Sequence, residues 1–228
     1  DSDGDGVVDA RDLYPKDSSK WVVIPEVLRE TANDVYTPKS SLKLWLETSS
    51  ANAVKLGANN EVNKWYDWSG HANTAVPEDN KGTYNSATGI QFDGTDAYNI
   101  RTHVTYDTSY TIFAIEKRHQ VKSNNYFIGQ AGPNSTSTNK SLHFGYRSDN
   151  TFTIAHYAND TNHPAPTISS EYNLVVGEFI KGETNRELYF NGSKTKKDDT
   201  DSNNETASGL SNTNVNTIGK SRDNFYNG

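Results

Sequence analysis

The first twelve residues, DSDGDGVVDARD, carry five carboxylates at positions 1, 3, 5, 9 and 12 with glycine at position 6. A loop that wraps one Ca²⁺ takes side-chain oxygens at positions 1, 3 and 5 and a backbone carbonyl at 7. It adds a direct or water-bridged ligand at 9, an acid at 12, and glycine at 6 for the sharp turn. The metal set expected is therefore Asp1, Asp3, Asp5, the Val7 carbonyl, Asp9 and Asp12. Asp12 stands where a helix–loop–helix sensor has a longer, bidentate glutamate, and no amphipathic stretch precedes the loop. A calcium-stiffened spacer is expected rather than a sensor, because bound Ca²⁺ neutralises acids that would otherwise repel one another.

Other polar residues could meet around a ligand. In LHFGYR, His143 and Arg147 share one side of an alternating run, and TFTIAHYANDTNH adds His156, Asp160 and His163. An arginine beside histidine suits the carboxylate of an acidic sugar. WYDWSGHAN offers Tyr66 for stacking and Asp67 and Asn73 for hydrogen bonds or a rim cation. Turn hydrogen bonding is the alternative use of Asp67 and Ser69. The candidate ligand set is Tyr66, Asp67, Asn73, His143, Arg147 and His156. No pattern supports catalysis: E-x-D-x-E, G-x-S-x-G and H-E-x-x-H are all missing, as is any cysteine nucleophile. A non-enzyme is expected.

Composition points outside the cell. The 228 residues include no cysteine and no methionine, and their formal net charge is −7, with a mean hydropathy of −0.85. Disulfides and thiolate metal sites are excluded. An acidic chain without a Lys/Arg stripe does not suit nucleic acid, and no apolar run of membrane-spanning length occurs. N-x-S/T triplets begin at Asn134, Asn139, Asn159, Asn191 and Asn204. They would be glycan acceptors in a eukaryotic secretory pathway, or coincidence in so polar a chain.

The elements that must position these residues are mostly strands. PEVLRETANDVY (25–36) suits either a short helix or a linker strand. From Leu42 onward, short apolar or alternating runs such as LKLWLE, YTIFAIEKR, NYFIGQ, LHFGYR, TFTIAHYA and YNLVVGEFI alternate with Gly, Asn, Asp and Ser. This is the pattern of an antiparallel sandwich. FDGTD and YFNGSK place Asp-Gly and Asn-Gly where type I′ hairpins would put them. In YTIFAIEK both alternating sets are apolar, so that strand is expected to be buried on both faces. The expected core includes Trp45, Trp65, Phe92, Ile112, Phe113, Ile154, Val176 and Phe190.

Several of these stretches together resemble known families. DxDxDGxxDxxDxxP at the start resembles thrombospondin type 3 calcium repeats. LKLWLE, then Trp65, Asp67, Ser69, Gly70 and Asn73, then FDGTDAY, YTIFAIEKR, ELYFNGSKT and NTIGKSRDNFYNG are similar, in order, to laminin-G-like, concanavalin-A-like jelly-roll domains of bacterial surface proteins. The resemblance implies an all-β, antiparallel jelly-roll sandwich over residues 42–228, a calcium loop over 1–20 and a linker over 21–41. In that family a final strand follows the F-x-G segment, so a chain that ended at Gly228 would leave a strand slot open, whereas a longer chain would fill its own slot.

The resulting expectation is a calcium-binding adhesion module, extracellular or on a cell surface, that recognises a glycan or surface polymer. The alternative is a structural fibre subunit that assembles with copies of itself, the apolar stretch KWVVIPEV donating a strand to the open slot. A third is an accessory domain of a polysaccharide-degrading enzyme.

Overall fold

The computed structural model describes residues 29–32, 35–38, 40–49, 51–147, 151–165, 171–182, 186–194 and 210–228. The acidic repeat, with Asp1, Asp3, Asp5, Val7, Asp9 and Asp12, and the stretch KWVVIPEV lie outside the described residues. In chain order the strands are β1 (Arg29–Ala32), β2 (Val35–Pro38), β3 (Val54–Leu56), β4 (Val62–Trp65), β5 (Ala75–Pro77), β6 (Thr83–Asn85), β7 (Gly89–Gln91), β8 (Tyr98–Ile100) and β9 (Tyr110–Glu116). They continue as β10 (Asn125–Ala131), β11 (Leu142–Tyr146), β12 (Thr151–His156), β13 (Asp160–Pro164), β14 (Asn173–Phe179), β15 (Arg186–Phe190), β16 (Ser193–Lys194), β17 (Val215–Ile218), β18 (Lys220–Ser221) and β19 (Asn224–Phe225). β1 and β2 pair antiparallel, Thr31 opposite Tyr36, so strand prevails over helix in this part of the linker. LKLWLE forms no named strand, although Leu44 and Leu46 pack against the core.

The fold is an antiparallel jelly-roll β-sandwich. Nine strands in the order β13-β12-β11-β10-β17-β8-β5-β4-β3 form one sheet, and β16-β15-β14-β9 form the other. Strand residues alternate between faces, so Leu142, Phe144 and Tyr146 of β11 and Phe152 and Ile154 of β12 enter the core with Val175, Leu188 and Phe190 from the opposite sheet. The sheets approach closely at Gly177, where a Cβ would stand 2.7 Å from Phe144 and 2.8 Å from Ile154. Aromatic rings fill much of the gap, with Phe152 edge-on to both Phe144 and Tyr146 at 5.0 Å.

Strand β9 departs from the expected double burial. Tyr110, Ile112 and Ala114 pack against the core while half-buried, but Phe113 and Ile115 point outward and are 71 % and 75 % exposed. These positions lie on the outer face of the small sheet, where Leu174 of the interior strand β14 is exposed as well. Opposite them on β14, Leu174 pairs with Ile115 and Val176 with Phe113. Phe92, Ile154 and Phe190 are buried as expected, whereas Trp45, Trp65, Ile112 and Val176 are half-buried.

The two turn motifs differ. Asn191 and Gly192 both have positive φ, 48° and 81°, and join β15 to β16 as a two-residue hairpin. FDGTD is not a hairpin. β7 pairs with β6, and β8 pairs with β5 and β17; Asp93 instead anchors a turn by accepting from the N–H and hydroxyl of Thr95 at 2.8 and 2.7 Å.

Buried between the sheets is one carboxylate, Glu116. It accepts from Tyr146 Oη at 2.5 Å, Asn173 Nδ2 at 3.0 Å and Tyr226 Oη at 2.7 Å. The Arg118 guanidinium lies 4.0 Å from the Tyr146 ring centroid. Burial nevertheless pushes the Glu116 carboxyl above its ordinary range, against the pull of these donors.

Candidate functional site

The six candidate ligand residues are not gathered at one site. His143 and His156 sit on neighbouring strands but on opposite faces of the large sheet. His156, fully buried, faces the small sheet: it shares a hydrogen bond with Tyr110 Oη, and its ring lies 4.4 Å from that of Phe179. Burial, with Arg186 adding to it, drives its pKa well below the ordinary imidazole value. His143 faces outward, but the β18–β19 hairpin covers it.

Asp67 and Asn73 are likewise buried and serve the fold. Asp67 Oδ1 accepts from the backbone N–H groups of Trp45 and Ser69, each at 2.9 Å. Its Oδ2 accepts from Ser69 Oγ and the Asn73 N–H, each at 2.8 Å. Asn73 donates to the Lys43 carbonyl at 2.6 Å and accepts from the Thr102 hydroxyl. The W-x-D-x-S-G-x-x-N motif thus pins the segment around Trp45 to the loop after β4. Tyr66 stands at the surface, 36 % exposed. Of the N-x-S/T triplets, Asn139 and Asn159 are buried and bonded to each other at 2.9 Å, which withholds them from glycan attachment.

A cleft of about 220 Å³ opens at the rim of the sandwich, lined by Lys81, Thr83, Gln91, Phe92, Asp93, Asp96, His119 and Asn227. The FDGTD turn builds its floor. The Asp93 N–H donates to Asp96 Oδ2 at 2.8 Å, and Asn227 Nδ2 donates to the Asp93 carbonyl at 2.7 Å. Gly228 holds Phe92 by a reciprocal backbone pair, at 2.7 and 3.0 Å. Burial first, then the charge of Asp93, raises the Asp96 pKa, whereas the Thr95 hydroxyl lowers that of Asp93. Asp96 is only 4 % exposed, and the lining sets two carboxylates beside Lys81 and His119. Gln91 adjoins the FDGTD turn, whereas Lys81, His119 and Asn227 come from other segments and carry no local signal.

On the outer face of the large sheet the β18–β19 hairpin crosses β10 and β11. Gly129 lies opposite His143 on β11 and Thr217 on β17, and a Cβ there would stand 2.2 Å from Ser221 Cβ. Ser221 Oγ donates to the Leu142 carbonyl at 2.8 Å and also meets His143 Nδ1. His143 stacks on Tyr126 at 5.1 Å and meets Tyr157 edge-on at 5.8 Å. Burial lowers its pKa to about 4, and the positive charges of Arg222 and Arg147 add to this. Arg147 reaches Asp160 at 2.6 Å.

Among the described residues no group of three or more His, Cys, Asp or Glu is gathered as a metal site, and no helix is long and apolar enough to cross a membrane. No family model matches the chain, and no curated protein matches it. Its fold is similar to that of Trypanosoma rangeli sialidase in complex with 2,3-difluorosialic acid, at 13 % identity and a TM-score of 0.50 over 85 % of this chain and 30 % of that one. It is also similar to the Ruminococcus gnavus IT-sialidase CBM40, at 14 % identity and a TM-score of 0.46 over 61 % of this chain and 85 % of that one. A GH54 a-l-arabinofuranosidase gives 13 % identity and a TM-score of 0.40 over 69 % and 46 %. The chain therefore spans less than a third of the length of that sialidase, and what the two share is the fold.

Proposed function

We propose that this chain is a non-catalytic carbohydrate-binding module of a secreted or cell-surface protein, which takes a sugar in the rim cleft, and that its N-terminal acidic repeat binds one Ca²⁺. The observation that carries the reading is the cleft itself, whose lining joins a nearly buried carboxylate, Asp96, to Lys81, Thr83, Gln91, His119 and Asn227. Neighbouring sugar hydroxyls each donate and accept, so a site offering both kinds of partner in a small volume suits them. At about 220 Å³ the cleft suits one ring better than an oligomer. Laminin-G-like sequence motifs and the carbohydrate-binding module among the fold neighbours accord with this reading but do not carry it.

A glycan array tests the proposal. Binding to at least one glycan class should be lost in Asp96→Asn and in Gln91→Ala, with the melting temperature retained. Retention of all binding in both variants would move the site elsewhere, and turnover of a bound glycan would refute the non-catalytic reading.

A second reading, assembly with copies of itself, is favoured by one observation: β9 closes its sheet with Phe113 and Ile115 exposed. A strand margin of this kind is prone to pairing with another chain. Light scattering of the wild type and of Phe113→Lys/Ile115→Lys distinguishes the two, since only an assembling chain would change its mass.

A further inference from the structure

The outer face of the small sheet carries apolar side chains that nothing among the described residues covers. Phe113 is 71 %, Ile115 75 % and Leu174 48 % exposed, and Val176 and Tyr189 are half-buried beside them. Strand pairing makes them contiguous. Ile115 stands opposite Leu174, and Phe113 opposite Val176, which on its other side faces Tyr189. Residues two apart along a strand share a face, so the five form one patch across β9, β14 and β15. Single exposed apolar residues are ordinary, but a contiguous patch with a polar rim marks a contact surface.

The rim has opposite charge at its two ends. At one end Glu178 stands opposite Thr111 on β9 and Glu187 on β15. Carboxylates directly across a strand pair repel. Glu187 is offset by its ion pair with Lys194, which leaves the charge of Glu178. At the other end Lys117 follows β9, its Nζ 5.7 Å from the ring centroid of the exposed Tyr172. Ala114 pairs with Val175 midway between these ends, Thr111 and Lys117 each lying three positions from it.

This layout is complementary to itself. A two-fold axis between two such faces, crossing the strands at Ala114 and Val175, reverses strand direction from one copy to the other. It sets Phe113 over Ile115 of the second copy and Val176 over its Leu174. It also brings Lys117 of each copy to Thr111 of the other, beside Glu178. Closed two-fold pairs, in which one patch meets itself, are the commonest soluble oligomers. The four strands and the seven residues of β9 span roughly 20 Å by 24 Å. That is small beside the about 800 Å² per partner of a standard interface, so a dimer in exchange with monomer at micromolar concentrations is expected.

We propose that the outer face of the small sheet is a homodimer interface, in which two copies stack face to face about a two-fold axis and Lys117 of each meets Glu178 of the other. The proposal rests on the reading that this chain assembles with copies of itself, and it places the contact on the sheet face rather than at the β9 margin. It does not require that the rim cleft bind sugar.

Sedimentation equilibrium of the full chain over about 1–200 µM tests it. The wild type should pass reversibly from monomer to dimer in this range. Leu174→Lys lies on an interior strand and leaves the β9 margin untouched; it should be monomeric throughout with its melting temperature retained. At low salt Lys117→Glu and Glu178→Lys should each weaken the dimer at least about fivefold, since the two-fold repeats the contact, and the two together should restore it. If Leu174→Lys loses its folding transition, these surface charge variants decide. A wild type that stays monomeric would refute assembly and the proposal with it. A dimer that persists in folded Leu174→Lys would refute the sheet face while leaving the β9 margin as the contact. Masses beyond the dimer would refute a closed two-fold pair, and additive weakening in the double charge variant would refute the arrangement of Lys117 against Glu178.

Discussion

Replacing Gly129 by alanine tests how the outer face of the large sheet is built. The backbone there is not in the left-handed region, so the change introduces contact without backbone strain. The new Cβ would stand 2.2 Å from Ser221 Cβ, 2.6 Å from its Oγ and 2.7 Å from its Cα. Carbon atoms rest at about 3.5–4.0 Å, so the hairpin must move by more than about 1 Å. Overpacking of this kind costs about 1–3 kcal/mol. The movement also strains the bonds from Ser221 Oγ to the Leu142 carbonyl and from the Arg222 N–H to the Gln130 carbonyl, each contributing about 1 kcal/mol. A loss of about 2–3 kcal/mol is expected by urea unfolding. Ser221→Gly in the same chain should recover part of it, because Cβ and Oγ are removed while Cα stays close. A loss below about 0.5 kcal/mol, or no recovery in the double variant, would show that the hairpin does not rest on Gly129.

Three further outcomes are expected. Phe152→Ala, at a fully buried ring, should cost about 3–5 kcal/mol, whereas Phe113→Ala, at a ring 71 % exposed, should cost about 1 kcal/mol or less; equal losses in urea unfolding would reverse the facing of β9. Because the folded-state pKa of Glu116 lies above the ordinary value of 4.5, its protonation favours the folded state. That contribution is complete below the unfolded pKa and declines as pH rises through the folded one. Stability measured from pH 4 to 7 should therefore fall less steeply in Glu116→Gln, and parallel profiles would contradict the assignment. For the acidic repeat, Asp3→Ala/Asp5→Ala should remove one Ca²⁺-binding event in calorimetry, and unchanged stoichiometry would rule out a site there.

How much was legible in advance follows from the range of each signal. Alternation and turn residues located β10, β11, β12, β14 and β15, because inward residues such as Phe144, Ile154 and Leu188 recur at the strand period. The same signal failed for β9: both its residue sets are apolar, and periodicity carries no information about whether a sheet's outer face is covered. β13, with the polar run Asp160–Pro164, gives no propensity for strand and is held by its pairing with β12. FDGTD has the composition of a hairpin, yet β7 finds β6 instead. The site residues show the sharper limit. His143 and His156 are thirteen positions apart and on adjacent strands, but opposite parity puts one outside the sandwich and the other inside. The seat of Ser221 on the outer face of the large sheet has no local pattern at all, since it depends on the missing side chain of Gly129, nearly a hundred residues earlier.

The bonds to Glu116 also constrain the order in which the chain can fold. Its partners come from β11, β14 and the residue after β19, while Glu116 itself ends β9. Withdrawing the carboxylate from water before Tyr146, Asn173 and Tyr226 have arrived leaves a charge without donors, so closing the sandwich early at this point is uphill. Tyr226 lies 110 positions from Glu116, which makes it the slowest of the three contacts to form by chain diffusion. The transition state should accordingly hold β10 to β12 paired, with the Glu116 end of β9 still hydrated. Tyr226→Phe should then speed unfolding while leaving the refolding rate nearly unchanged.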